Sequence, residues 1–274
     1  MLTIEVAPGA YALCADDARF GNSTLGLVID ADGASLIDTM ASPSMAVDAD
    51  AEIQDLVGEL GLRVKRVVFT SSRIPFTGGS TVFWRAAFFA SEPVSEQLDQ
   101  PVNPTVLKRL IPQHGASYHA EFLTRPVTHT VSEDAQLTPA IVLRLFAGES
   151  ALNLVVHLPG ADVVFLGALG SFGVTPLAFD GDPIAWAQSL DAVADLATTF
   201  VPGHGLPAGP GAVRDQAEYL RACGAAAGDP SAIPDGPWDR WTDRHFDAVN
   251  VERAWRLAHG DDSTPRTMLD LLGL

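Results

Sequence analysis

Between Ser35 and Phe69 the chain reads strand, helix, strand, and that order constrains the fold more than any other feature. Ser35–Asp38 is a short strand, and the apolar run Val64–Phe69 (VKRVVF) is a second, fully buried one. The stretch Ser44–Leu60 between them sets Ile53, Leu56, Val57 and Leu60 on one helical face and ends before Gly61, a natural helix terminator. Two strands joined through a helix lie parallel in one sheet, and the helix must cover a face of that sheet.

The flanks extend the pattern. Thr3–Val6, Tyr11–Ala15 and Leu25–Asp30 read as strands separated by the turn-forming APG and DADG stretches. Strands resume at Val127–Val131, Ile141–Phe146, Leu152–His157 and Val163–Leu166, and a helix at Pro183–Ala197 leads to a short strand, Thr199–Val201. Each half thus runs strands first and helix later, which predicts two packed sheets with helices outside. The expected organisation is a single domain over residues 1–274. A helical insertion at about 92–123 is interrupted by Pro93, Pro101, Pro104 and Pro112, and a helical segment closes the chain from about 209 to 274.

Charge narrows the partners. With 34 acidic residues against 17 basic ones, the formal net charge is −17, so no basic face is expected for nucleic-acid phosphates or anionic lipid. The most apolar stretch, Ala151–Leu169, is broken by Asn153, His157, Pro159 and Asp162, so no membrane span is expected. Cys14 and Cys223 stand far apart and outside any metal-knuckle spacing, and the N-terminus lacks a signal-peptide pattern. These features together give a cytoplasmic expectation.

Four segments occur in an informative order: Asp38-Thr39 closing a strand, TSSRIPFTGG (70–79), FAGESALNLVVHLPGADVVFLGAL (146–169) and FVPGHG (200–205). The set resembles the metallo-β-lactamase superfamily, and NVERAWRLAHG (250–260) resembles the C-terminal helix of members that act on small molecules. The resemblance implies an α/β fold, an αββα sandwich with additional C-terminal helices.

It also marks departures. Where the family reads T-H-x-H-x-D-H-x-G-G, Ser71 and Arg73 stand at the two histidines of the first metal site, and Pro75 and Phe76 at the Asp-His pair of the second. Glu149 takes the next histidine position, Ala168 takes the bridging aspartate, and His204 alone is kept. A binuclear centre needs several nitrogen and oxygen donors around ions about 3.5–4 Å apart. One histidine and one glutamate do not supply them, so neither metal nor other cofactor is expected.

The residues leave alternatives open. His204 suits general acid–base work near neutral pH, or is an inert relic with its ring hydrogen-bonded. Arg73 and Glu149 form an ion pair filling the metal void, or Arg73 clamps a substrate carboxylate. Ser71, with Ser72 beside it, is a nucleophile only if His204 lies within reach, and no G-x-S-x-G elbow supports it. Asp38 is expected to support the 70–79 loop. His119, Glu121 and His129 are the only other possible metal cluster, and His114, His157, His245 and His259 lack supporting context. Trp238, Trp241, Phe246 and Trp255 either pack the C-terminal segment or roof a pocket.

Two function classes follow from these readings. One is a metal-independent enzyme of small-molecule metabolism that uses His204, Ser71 and Arg73 in the former metal pocket. Its mainly apolar substrate would lie against Arg73, Phe76, Glu149, Ala168 and Trp241. The other is a non-catalytic ligand- or partner-binding protein on the same scaffold. The feature that separates them is whether His204 faces an open cavity or lies sealed against Phe76 and Ala168.

Overall fold

The computed structural model describes residues 1–58 and 60–274. Its first half forms β1 (Leu2–Ala7), β2 (Ala10–Cys14), β3 (Leu25–Asp30), β4 (Gly33–Ile37), α1 (Pro43–Gly58), β5 (Val64–Val68), the single turn α2 (Ile74–Thr77) and β6 (Ala87–Ser91). The crossover is as expected: β4 and β5 run parallel, with Ala34 opposite Val64 and Ile37 opposite Val68. Helix α1 buries Ala46, Ala49, Ile53 and Val57 against that sheet. The buried stripe therefore lies further toward the helix N-terminus than the sequence pattern indicates, and Leu60, beyond the helix, is exposed.

Residues 92–123 are helical in pieces, α3 (Glu92–Leu98), α4 (Pro104–Leu110) and a 3₁₀ turn at Pro112–Ser117. Each piece begins at or just before a proline, because proline fits the first turn of a helix and cannot continue one. The second half holds β7 (His129–Val131), β8 (Ala135–Thr138), β9 (Ile141–Phe146), β10 (Asn153–Leu158), β11 (Val163–Ser171), α5 (Pro183–Ala194), β12 (Thr199–His204), α6 (Pro210–Ala225), α7 (Asp247–Ala258) and α8 (Arg266–Leu272).

Strands β1 to β7 make one sheet in sequential order, and a second sheet runs β12-β11-β10-β9-β8. Between the sheets lie Val28, Ile37 and Val68 from the first and Leu154, Val156 and Phe165 from the second. Helix α1 covers the outer face of the first sheet, and α5 and α6 cover that of the second. The result is the expected four-layer α/β sandwich. The C-terminal ends of β4, β5 and β12, with the second half of β11, meet at one edge of it, bringing Asp38, Thr70, His204 and Ala168 together.

Candidate functional site

Asp38 anchors the edge. It adopts a left-handed backbone (φ 65°) and accepts hydrogen bonds from Thr70 N at 2.8 Å and Thr70 Oγ1 at 2.7 Å. Thr70 Oγ1 in turn accepts from Ala168 N at 3.0 Å, and the Thr70 carbonyl accepts from Asn153 Nδ2 at 3.1 Å. This buried chain ties the ends of β4, β5, β10 and β11 to one another. Gly167 (φ 50°) passes so close to Thr70 that a side chain there would collide with it.

Arg73 follows, at the start of α2. Its guanidinium lies 4.0 Å from the Phe179 ring centre, makes its closest ion pair with Asp180, and has Nε 3.8 Å from Glu149 Oε1. The anticipated Arg73–Glu149 pair is present, but as the looser of two. Asp180 and Phe179 had no signal in the sequence, since LAFDGDP (177–183) carries neither periodicity nor motif. The buried Arg253 of α7 holds that loop, donating to Gly181 O at 2.8 Å and Asp180 O at 3.0 Å. Glu149 is 6% exposed and its Oε2 has no hydrogen-bond partner among the described residues. Burial pushes its carboxyl up to about 7, while Arg73 and the Ser71 hydroxyl pull it back.

His204 ends β12. Its ring sits between Phe76 and Phe20, with ring centres 5.2 and 5.7 Å away. Nδ1 faces the Asn22 carbonyl at 3.3 Å, and because a carbonyl only accepts, Nδ1 carries the proton and Nε2 the lone pair. Burial lowers the imidazole to about 4, so the ring is neutral at physiological pH. His204, Glu149, Phe76 and Ala168, all largely buried, line one small chamber whose other walls include Phe20, Ser171, Thr175, Leu177 and Trp186. Its volume is about 10 Å³, room for roughly one water.

The other expected residues fall elsewhere. Trp241 is not at the chamber: it packs on Tyr219 and Trp238, with ring centres 5.3 and 6.5 Å away, in the core beneath α6. Ser71 accepts a hydrogen bond from Arg73 N at 3.2 Å and has none to His204 among the described residues. His119 and His129 bond locally, to Glu121 N and Thr128 Oγ1. Of the C-terminal aromatics, Phe246 reaches the site region, edge-on to Phe20 with ring centres 5.0 Å apart.

No protein-family model matches this sequence, and no curated protein does. Solved structures do match. The metallo-β-lactamase from Hirschia baltica is 15% identical, with a TM-score of 0.61 over 80% of this chain and 97% of its own. The mono-zinc FIM-1 enzyme from Pseudomonas aeruginosa is 19% identical, with a TM-score of 0.59 over 85% of this chain and 96% of its own. A double mutant of the sec-alkyl sulfatase PisA1 is 18% identical, with a TM-score of 0.68 over 96% of this chain and 51% of its own. The chain has the metallo-β-lactamase fold. Ala168 and His204, which the sequence resemblance sets at metal-ligand positions, both lie at the edge where Asp38 and Thr70 converge.

The side chains at that edge do not fit a metal. Among the described residues, no group of three or more His, Cys, Asp or Glu side chains converges to hold an ion. The Arg73 guanidinium already sits between Glu149 and Asp180, and it would repel a cation placed beside it. No helix is long and apolar enough to cross a membrane among the described residues.

The buried charges set a pH dependence. Burial raises Asp38 to about 8 and Glu149 to about 7, so both hold protons that the unfolded chain has released. Their contribution to stability is therefore lost as pH rises through those values. His204, lowered to about 4, has the opposite sign, but its contribution is complete above the ordinary imidazole pKa of about 6.5. Between pH 6.5 and 8 the two carboxyls decide the slope, and stability should fall by about 2 kcal/mol. Urea unfolding at fixed ionic strength measures it. The doubly substituted Asp38→Asn, Glu149→Gln protein should be flat, and a wild-type profile that is flat or rising would refute the assignment.

Proposed function

We propose that this chain is a metal-independent enzyme acting on small, mainly apolar molecules in the pocket where other proteins of the fold hold metal. One observation carries the reading: Glu149 and His204, both buried, line the same small chamber. Between about pH 4 and 7 the Glu149 carboxyl holds a proton while His204 Nε2 keeps its lone pair. An acid and a base facing one cavity suit proton transfer, as in isomerisation, dehydration, cyclisation or hydrolysis of an acyl group. Arg73 is committed to Glu149 and Asp180, so its part is to set the charge of the chamber rather than to hold a substrate carboxylate. Ser71 supports Arg73 and does not meet His204.

A second reading, ligand binding without turnover, is favoured by the closure of the chamber. His204 is sealed by Phe76 and Phe20, and the free volume admits no metabolite in this conformation. Catalysis therefore requires an opening movement. The two readings part in one experiment. A compound that raises the melting temperature of the purified protein is incubated with it, with and without a strong chelator, and products are sought by mass spectrometry. Elemental analysis of the same sample should find no stoichiometric zinc or iron, and product formation should be indifferent to the chelator. Binding with no product would establish the second reading, and activity lost with one or two bound ions per chain would sink both.

A further inference from the structure

The small chamber has a neighbour. A surface groove of about 400 Å³ runs between the β2–β3 connection, the end of α4 and residues 243–246, and Phe20 is the one residue that lines both groove and chamber. Phe20 is 9% exposed, and its ring lies 5.7 Å from that of His204.

The segment carrying Phe20 lies outside the regular elements, and the Phe20 ring is held by packing against the cluster of Ile74, Ile111, Leu177 and Phe246. Residues 15–22 lie outside every strand and are pinned largely by side chains from other elements, while Ser23 and Thr24 beyond them are fixed to Pro75 O, Gly203 O and Gly205 O. Phe20 N donates to Asp243 Oδ2 at 2.7 Å, Phe20 O accepts from Gln113 Nε2 at 2.7 Å, and Ala18 O accepts from Thr242 Oγ1 at 2.9 Å. Gly21 follows at φ 89°, a conformation that suits glycine, and a side chain there would strike Ile111 and Gln113. Asn22 O ends the strap on His204 itself. A few side-chain bonds with a glycine pivot open at lower cost than a strand or a packed helix.

We infer that Phe20 is the gate of the chamber, that the groove is its vestibule, and that the ligand admitted is an uncharged, mainly apolar molecule bearing one hydroxyl or carbonyl group. The inference deepens the reading given under Proposed function and rests on it for the chemistry at His204. The ligand class follows from the walls. Phe20, Phe76, Ala168, Leu177 and Trp186 offer apolar surface, the hydroxyls of Ser171 and Thr175 donate to Val174 O and Thr242 O, and Glu149 Oε2 lacks a partner while His204 Nε2 accepts no hydrogen bond among the described residues. A hydroxyl or carbonyl satisfies those two atoms. A formal charge would be stranded, because among the described residues no cation lines the chamber and the nearby Arg73 already has two carboxylate partners.

The test labels His204 in the full chain with diethyl pyrocarbonate, a small uncharged reagent that transfers an ethoxycarbonyl group to a neutral imidazole nitrogen, read by peptide mass spectrometry. The exposed His245, in the vestibule, is the internal reference. In the wild-type chain His204 should react at least about tenfold more slowly than His245, because only the open fraction is reactive. Phe20→Ala should bring the two rates within a few-fold, and Phe20→Leu should fall between, which keeps the test alive if the alanine variant does not fold. In the opened variant cyclohexanol should protect His204 and cyclohexanecarboxylate should not. Labelling unchanged in folded Phe20 variants, or accelerated by Arg73→Met instead, overturns the gate. Equal protection by the carboxylate overturns the ligand class. Labelling needs no turnover, so a gate that opens onto an inactive chamber would refute the enzyme reading and leave the gate standing.

Discussion

Replacing Arg73 by methionine should destabilise the fold by about 1–2 kcal/mol near pH 8, less than the roughly 3–5 kcal/mol of a buried pair broken from one side, because Glu149 titrates at about 7 and can take up a proton. Methionine keeps the aliphatic stem and its packing on Phe179 but removes the guanidinium. Asp180 is 35% exposed and can turn to water, so most of the loss falls on Glu149, whose side chain is 7% exposed. Glu149 has an escape: already raised to about 7, it rises further without Arg73 and takes up a proton. The penalty should therefore shrink as pH falls toward 5. Glu149→Gln in the Arg73→Met background should recover much of the stability at pH 8, since neither charge is then stranded. A double-mutant cycle by chemical denaturation reads the coupling directly. An additive cycle, or a penalty equal at pH 5 and 8, would show that the two side chains do not share their charge.

That ion cluster also shows how far the sequence reaches. Arg73 and Glu149 were legible because both stand in motifs whose usual residues are known, so their substitution pointed to a charge pair in a former metal site. Asp180 and Phe20 stood in irregular connections with no periodicity and no motif. Their roles exist only once α7, through Arg253, fixes residues 180–181, and once Gln113 and Asp243 pin the 15–24 segment. The same divide runs through the fold. Strands β3 and β9 matched in full, because alternating or continuous apolar runs fix a strand locally. β6 (AFFAS) and β8 (AQLT) were missed, being short runs without turn signals of their own. β11 extends to Ser171, past the expected Leu166, because parallel pairing with β12 carries Gly167 to Ser171 through two register shifts. Two roles stood open for Trp241, packing the C-terminal segment or lying against a substrate, and the structure places its ring against Tyr219 and Trp238.

The largest effect is expected in turnover. With any substrate that the protein converts, His204→Ala should lower kcat by roughly 10²–10⁴-fold, the usual span for losing a general base, while ligand affinity changes much less. The enlarged chamber in the alanine variant could by itself misplace a substrate, so pH is the sharper readout. His204 must be deprotonated and Glu149 protonated, and burial sets these at about 4 and about 7. The profile of kcat/KM should therefore be bell-shaped, with a plateau at mildly acidic pH and a fall above 7. Glu149→Gln leaves the amide in place, removes the titrating proton and should abolish the alkaline limb along with most of the rate. Arg73→Met should move that limb to higher pH, because the guanidinium that favours ionised Glu149 has gone. If activity instead rises through pH 7 and keeps rising, Glu149 works as a base and the assignment of the two groups is reversed. If His204→Ala turns over substrate at the wild-type rate, the chamber is a binding site, and the chemistry lies elsewhere on the chain.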